Sequence, residues 1–212
     1  MVSILTNELK FPDVRETSPE GLLAIGGDLS VERLLLAYRS GIFPWFDDDD
    51  PILWWAPDPR FVLFPERLKV SKSMKQVLRN TDFVVTVNKA FSKVIRSCSK
   101  IKRHGQPGSW ITQGMIDGYS DLHELGYAKS VEVWLDNELV GGLYGVDLGN
   151  GVFCGESMFS KVSNASKAAF ITFIQNTNYR LIDCQVYTNH LETLGAEDMP
   201  REEFLKYLKI GD

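Results

Sequence analysis

Apolar positions in the first sixty residues form one helical stretch, followed by a run crowded with proline and aromatic rings. In SVERLLLAYRSG, Ser30 or Asp28 supplies an N-cap and Gly41 a stop, which predicts a helix between them. IFPWF and ILWWAPDPR bring Pro44, Trp45, Trp54, Trp55, Pro57 and Pro59 together, and a boundary is predicted near Asp58 to Arg60. Two short amphipathic helices follow. In SKSMKQVLRN, at about 100° per residue, Lys72, Lys75 and Arg79 fall on one side, opposite Met74, Val77 and Leu78. In NKAFSKVIRSCSK, a stripe of Lys89, Lys93, Arg96 and Lys100 opposes Phe91, Val94, Ile95 and Cys98. A further helix is predicted in TQGMIDGYSDLHELG, from a Thr112 cap to Gly126.

Beyond Gly126 the period shortens to two. SVEVWL and ELVGGLYGVDL flank Asp136 and Asn137 as a hairpin, and GVFCGESMF is a further strand. NASKAAFITFIQNT is a helix, LIDCQV a strand, and PREEFLKYLK a closing helix with Pro200 near its first turn. Hairpin, strand, helix and strand in this order predict an α/β fold of mixed α+β character. A small N-terminal domain, residues 1–59, precedes a larger domain, residues 60–212, of the N-acetyltransferase type, with helices packed on a mixed sheet. Other α/β or α+β arrangements suit the same order.

The chain has 212 residues, 44% of them hydrophobic, enough for a substantial core. No apolar run reaches the roughly 18 residues of a membrane span. The opening MVSILTNELK lacks the basic lead and apolar segment of a secretory signal. Cys98, Cys154 and Cys184 are odd in number and show no metal-ligand spacing, so a reduced, cytoplasmic protein without a metal is expected. The DDDD run at Asp47 to Asp50 reads as a solvated loop. The net charge of −5 conceals an asymmetry: from Lys69 to Arg103 there are ten basic residues and one acid, Asp82. The two basic helices are either solvated surfaces or a phosphate-binding footprint.

The chemistry centres on misplaced polar groups. Strand alternation puts Asp183 and Gln185 on one face of LIDCQV, with Cys184 turned away. Glu156 interrupts FCGESMF in the same manner. A buried polar group without a partner costs about 1–3 kcal/mol, so such residues are either satisfied structurally or kept for chemistry. A Cys184–His190 pair is a rival, weakened by alternation; His104 and His123 fit no metal or triad spacing. GGLYGVDLG lacks the spacing of a dinucleotide fingerprint. The turn SKVSNASKAA before the second-half helix has no glycine to admit a coenzyme A pyrophosphate. Trp45 and Trp110 stand beside turn residues, where a ring face suits a base or an apolar ligand.

Several blocks together carry a resemblance. GLLAIGGDLSVERLLLAYRSGIFPWF, PILWWAPDPR, GSWIT, DLHELGYAKSVEVW, LVGGLYGV, FCGESMFS, NASKAAF and LIDCQV, in that order, are similar to the motifs of the bacterial leucyl/phenylalanyl-tRNA–protein transferase family. The resemblance implies transfer of leucine or phenylalanine, with methionine as a further donor, from aminoacyl-tRNA to an N-terminal arginine or lysine. The product is a degradation signal. It implies a monomer without cofactor. It further implies that Asp183 and Gln185 are catalytic with Glu156 in the pocket, and that Trp45, Trp110, Leu143, Met158, Phe173 and Tyr38 surround the aminoacyl-adenosine or touch the tRNA. Leu143 stands where the family pattern has methionine. Phosphate contact would fall to Lys72, Lys75, Arg79, Lys89, Lys93, Arg96 and Lys100. In this scheme Asp183 holds the amide of Gln185, whose oxygen faces the attacking amine. An acyl-CoA-dependent N-acyltransferase and a non-catalytic RNA-binding module are the alternatives.

Overall fold

The computed structural model describes residues 2–101 and 111–209. The chain begins with β1 (Ser3–Leu5) and β2 (Leu22–Gly26), crosses in α1 (Val31–Arg39), and returns through β3 (Phe43–Pro44) and β4 (Leu53–Trp55). These strands form one sheet in the order β1-β2-β4-β3. Then come β5 (Arg60–Leu63), α2 (Lys72–Asn80), β6 (Val84–Val87), α3 (Phe91–Ser99), α4 (Gln113–Glu124), β7 (Ala128–Leu135), β8 (Glu138–Asp147) and β9 (Val152–Ser160). The chain closes with α5 (Ala165–Gln175), β10 (Leu181–Gln185), α6 (Asn189–Thr193), β11 (Glu197–Met199) and α7 (Arg201–Leu208). The second sheet runs β11-β5-β10-β9-β8-β7-β6, a mixed sheet in which β9 and β10 are parallel. No helix among the described residues is long and apolar enough to cross a membrane.

Local chemistry explains the element ends. The Ser30 and Thr112 hydroxyls accept the N–H groups of Arg33 and Met115, capping α1 and α4 as predicted. Asp136 and Asn137 both have positive φ, 50° and 63°, as the β7–β8 hairpin turn requires. The second basic helix starts later than its periodicity predicts. Asn88 is left-handed (φ 57°), and the N–H groups of Lys89 and Ala90 donate to the buried Glu132 carboxylate at 3.2 and 3.1 Å. Lys89 therefore precedes α3.

The larger sheet is covered on both faces. Tyr38 of α1, Phe91, Val94 and Ile95 of α3, Met115 and Tyr119 of α4 and Phe204 of α7 fill one side, in a cluster that continues into Phe43 and Trp54 of the smaller sheet. Ala165, Ala168, Phe170 and Phe173 of α5 fill the other, with Met74 of α2. The two basic stripes are therefore not one surface. Their apolar sides grip opposite faces of the sheet, with edge strand β6 between them, although all seven cations are exposed. Periodicity along one helix carries no information about which face its neighbour covers.

Gly141 lets α5 approach closely, while its neighbour Gly142 faces Val131, Phe159 and Val94. A Cβ on Gly141 would lie 2.5 Å from the Ala165 Cβ. Gly141→Leu is expected to cost about 1–3 kcal/mol by overpacking. An unchanged urea midpoint would show that α5 can retreat freely.

Candidate active site

β10 departs from simple alternation. It pairs with β9 as far as Asp183, and its register against β5 shifts between Asp183 and Gln185. Cys184 is the extra residue of a bulge, and Gln185 has φ 64°, an uncommon conformation for a side chain of this kind. The expected sharing of a face through alternation is thus replaced by a local kink. Cys184 lines the same cavity as its neighbours and does not turn away from it.

Asp183 is fully buried and holds two partners. Arg60 donates to it through Nε at 2.8 Å and Nη2 at 2.7 Å, and the backbone N–H of Gln185 donates to Oδ1 at 2.9 Å. The Arg60 guanidinium, equally buried, lies 4.7 Å from the ring centroids of Phe43 and Phe204 and donates to the Gly41 carbonyl. Asp183 therefore secures the backbone of Gln185, and the amide is held elsewhere.

That other holder is Glu156. It is the extra residue opposite the Tyr144–Gly145 step of β8. Gln185 Nε2 donates to Oε1 at 2.7 Å, and the Tyr119 hydroxyl donates to Oε2 at 2.9 Å. Tyr38 hydrogen-bonds to the Tyr119 hydroxyl. Burial pushes the Glu156 carboxyl up to about 8, against the stabilising hydroxyls of Tyr38 and Tyr119. The expectation that Asp183 orients the amide is corrected here: a long-range carboxylate does so, and Asp183 acts on the main chain.

These groups open into a cavity of about 580 Å³. Its wall includes Trp45, Leu143, Met158, Glu156, Asp183 and Gln185, so six of the expected site residues meet there. Phe153, Phe170 and Ile182 extend its apolar part. Two expected residues stand back from it. Phe173 packs edge-on against Phe153 at 4.8 Å, and Phe170, three residues earlier on α5, lines the cavity instead. Tyr38 is only 1% exposed and joins the Glu156 network through the Tyr119 hydroxyl. Trp110 and His104 lie outside the described residues. The seven basic residues stand on the surface and do not line the cavity.

Arg60 and Tyr119 escaped the sequence reading. Arg60 had one signal, a charge opening the strand RFVL, all four residues of which are buried. A buried charge demands a partner, but nothing local names Asp183. Tyr119 sits on the apolar side of α4, where its spacing predicts only packing. His190 also lines the cavity, its buried Nε2 without a hydrogen-bond partner. Burial and the charge of Lys167 push its pKa down. Burial raises the Cys184 thiol far above its ordinary range, so a Cys184 nucleophile is disfavoured. Among the described residues no cluster is suited to a metal ion. At the turn before α5, the Ser166 N–H already donates to the Ser160 hydroxyl at 3.3 Å.

Residues 62–209 match the family model described as leucyl/phenylalanyl-tRNA protein transferase, and residues 27–58 match the model of that family's N-terminal domain. A leucyl/phenylalanyl-tRNA–protein transferase of Flavobacterium johnsoniae is 61% identical over 208 residues, 97% of this chain and 98% of the relative. One from Klebsiella pneumoniae is 50% identical over 217 residues, 99% of this chain and 91% of the relative. Among solved structures, a GCN5-related N-acetyltransferase from Kribbella flavida aligns at a TM-score of 0.37 and 12% identity, over 77% of this chain and 58% of that one. With one family model spanning most of its length and relatives at least half identical throughout, the chain belongs to the leucyl/phenylalanyl-tRNA–protein transferase family and is an aminoacyltransferase.

Proposed function

We propose that the protein takes leucine or phenylalanine, with methionine as a further donor, from aminoacyl-tRNA. It joins that residue to the N-terminal arginine or lysine of an acceptor protein, as a cytoplasmic monomer without cofactor, and so creates a degradation signal. The observation that carries this reading is one cavity in which an apolar wall of Leu143, Met158, Phe153 and Phe170 meets the Glu156–Gln185 hydrogen bond. Its volume suits a small ligand group. Apolar walls discriminate loosely, at about 1–3 kcal/mol per methylene, in keeping with several large apolar donors. Trp45 offers a ring face to the terminal adenine.

The donor ester is already activated, so alignment supplies much of the acceleration, up to ~7–11 kcal/mol in favourable cases. Catalysis rests on Asp183, Gln185 and Glu156, and the donor site on Trp45, Trp110, Leu143 and Met158. The decisive experiment is transfer of labelled leucine from charged tRNA to an Arg-ended peptide. No transfer, together with calorimetric binding of acetyl-CoA, would instead favour an acyl-CoA-dependent enzyme.

The tRNA backbone is assigned to the exposed cations on α2 and on and beside α3. Because the helices cover opposite faces, one arm of RNA cannot lie flat on both. Charge reversal at Lys89, Lys93 and Arg96 is expected to weaken tRNA binding and to flatten its salt dependence by about one slope unit per lost contact. An unchanged slope in a filter-binding titration removes α3 from the interface.

A further inference from the structure

We propose that Glu156 carries the proton of the transfer step: its carboxylate takes a proton from the attacking amine and returns it to the departing ribose oxygen, while Asp183, locked to Arg60, only holds Gln185 in place. This rests on the aminoacyl-transfer reading above. The acceptor reacts as its free amine, having lost one proton to solvent. The nitrogen lone pair forms the bond to the ester carbonyl carbon, and the carbonyl π pair moves onto its oxygen. Glu156 then removes an N–H proton from the positively charged nitrogen. The oxyanion pair re-forms the carbonyl as the carbon–ribose oxygen bond breaks, and that oxygen takes the proton from Glu156. A peptide bond, a tRNA hydroxyl and the original carboxylate result.

Three observations select Glu156. Asp183 is fully buried with both oxygens bridged by the Arg60 guanidinium, whereas the Glu156 oxygens accept from the neutral Gln185 amide and Tyr119 hydroxyl. Accepting a proton at Asp183 would strand the buried guanidinium without a counter-charge. Gln185 is a very poor base, and its Nε2 is already committed to Glu156. Glu156 alone of the three is a carboxylate in the cavity wall that is only partly enclosed.

The groups around it tune it in opposing directions. Burial and the Asp183 charge on β10 favour the proton, whereas Tyr38 on α1, Tyr119 on α4 and Arg60 on β5 favour the carboxylate. Cys154, on its own strand, is held as the neutral thiol by burial. The outcome, about 8, lies where a group can both take and release a proton near neutral pH.

The test is single-turnover transfer of labelled phenylalanine from charged tRNA to an Arg-ended peptide, measured against pH. Glu156→Gln is expected to lower the plateau rate about 10²–10⁴-fold, with tRNA affinity unchanged. A peptide α-amine also titrates near 7.7–8.0 and would produce a similar inflection, so a second variant is needed. Tyr119→Phe removes a donor that stabilises the carboxylate, and the inflection should move to higher pH. An inflection belonging to the amine would stay. Wild-type rates in Glu156→Gln, or an unmoved inflection in Tyr119→Phe, overturn the proposal while leaving the transfer reading intact. A wild-type protein that transfers nothing overturns the transfer reading and, with it, this step.

Discussion

Asp183→Ala is expected to unfold with about 3–5 kcal/mol less stability than the wild type, because it leaves the buried Arg60 charge unpaired. Arg60 is 1% exposed, so water cannot easily replace the lost carboxylate. Its flanking rings, Phe43 and Phe204, offer a cation–π attraction, about 2 kcal/mol when desolvated, which does not replace a bidentate ion pair. The Gln185 N–H loses its acceptor as well. The companion variant is Arg60→Met with Asp183→Leu, which removes both charges. Buried pairs exchanged for apolar groups of similar volume are often neutral or stabilising, so the double variant should recover most of the loss in a urea titration. It should still transfer poorly, since nothing then fixes the Gln185 main chain. A loss below about 1 kcal/mol in Asp183→Ala would mean that solvent reaches Arg60 and that the pair is a weak clamp.

Gln185→Gly separates position from stability. At φ 64° a side chain costs about 1–2 kcal/mol that glycine does not, while glycine gains freedom in the unfolded chain. The two effects oppose each other, and stability should stay within about 1 kcal/mol of the wild type. Turnover should fall about 10²-fold, the scale on which misplacement near 1 Å acts, with tRNA affinity retained. The bulge at Cys184 and the left-handed Gln185 are strain held at a working position by Asp183 and Glu156. Near-normal turnover in Gln185→Gly would remove the amide from the mechanism and leave the bulge as a feature of folding alone.

Much of the secondary structure is legible because it is local. Serine and threonine caps, the Asp136–Asn137 turn and the apolar spacing of α1, α2 and α4 depend on neighbours within a few residues. β1, β3 and β11 have only two or three residues each, too few to show a period. The start of α3 was misplaced because Glu132, 43 residues away from Lys89, takes its N–H. Of the site, Asp183, Gln185 and Glu156 were visible as polar groups in apolar strands. Phe173, which the resemblance implies, and Phe170 are both buried on α5, and Phe170 is the one that lines the cavity.

The amino-acid sequence by itself determined the longer helices and the longer strands that follow Gly126, and marked two acids and an amide as out of place. Only the tertiary structure decided their partners. Arg60 and Asp183 are 123 residues apart, and Tyr119 and Glu156 are 37 apart. Their pairing follows from strand order and from two bulges that re-aim side chains, and periodicity along a chain encodes neither. The same reason separates the basic helices. Each is amphipathic on its own account, but the sheet between them determines that they face different directions.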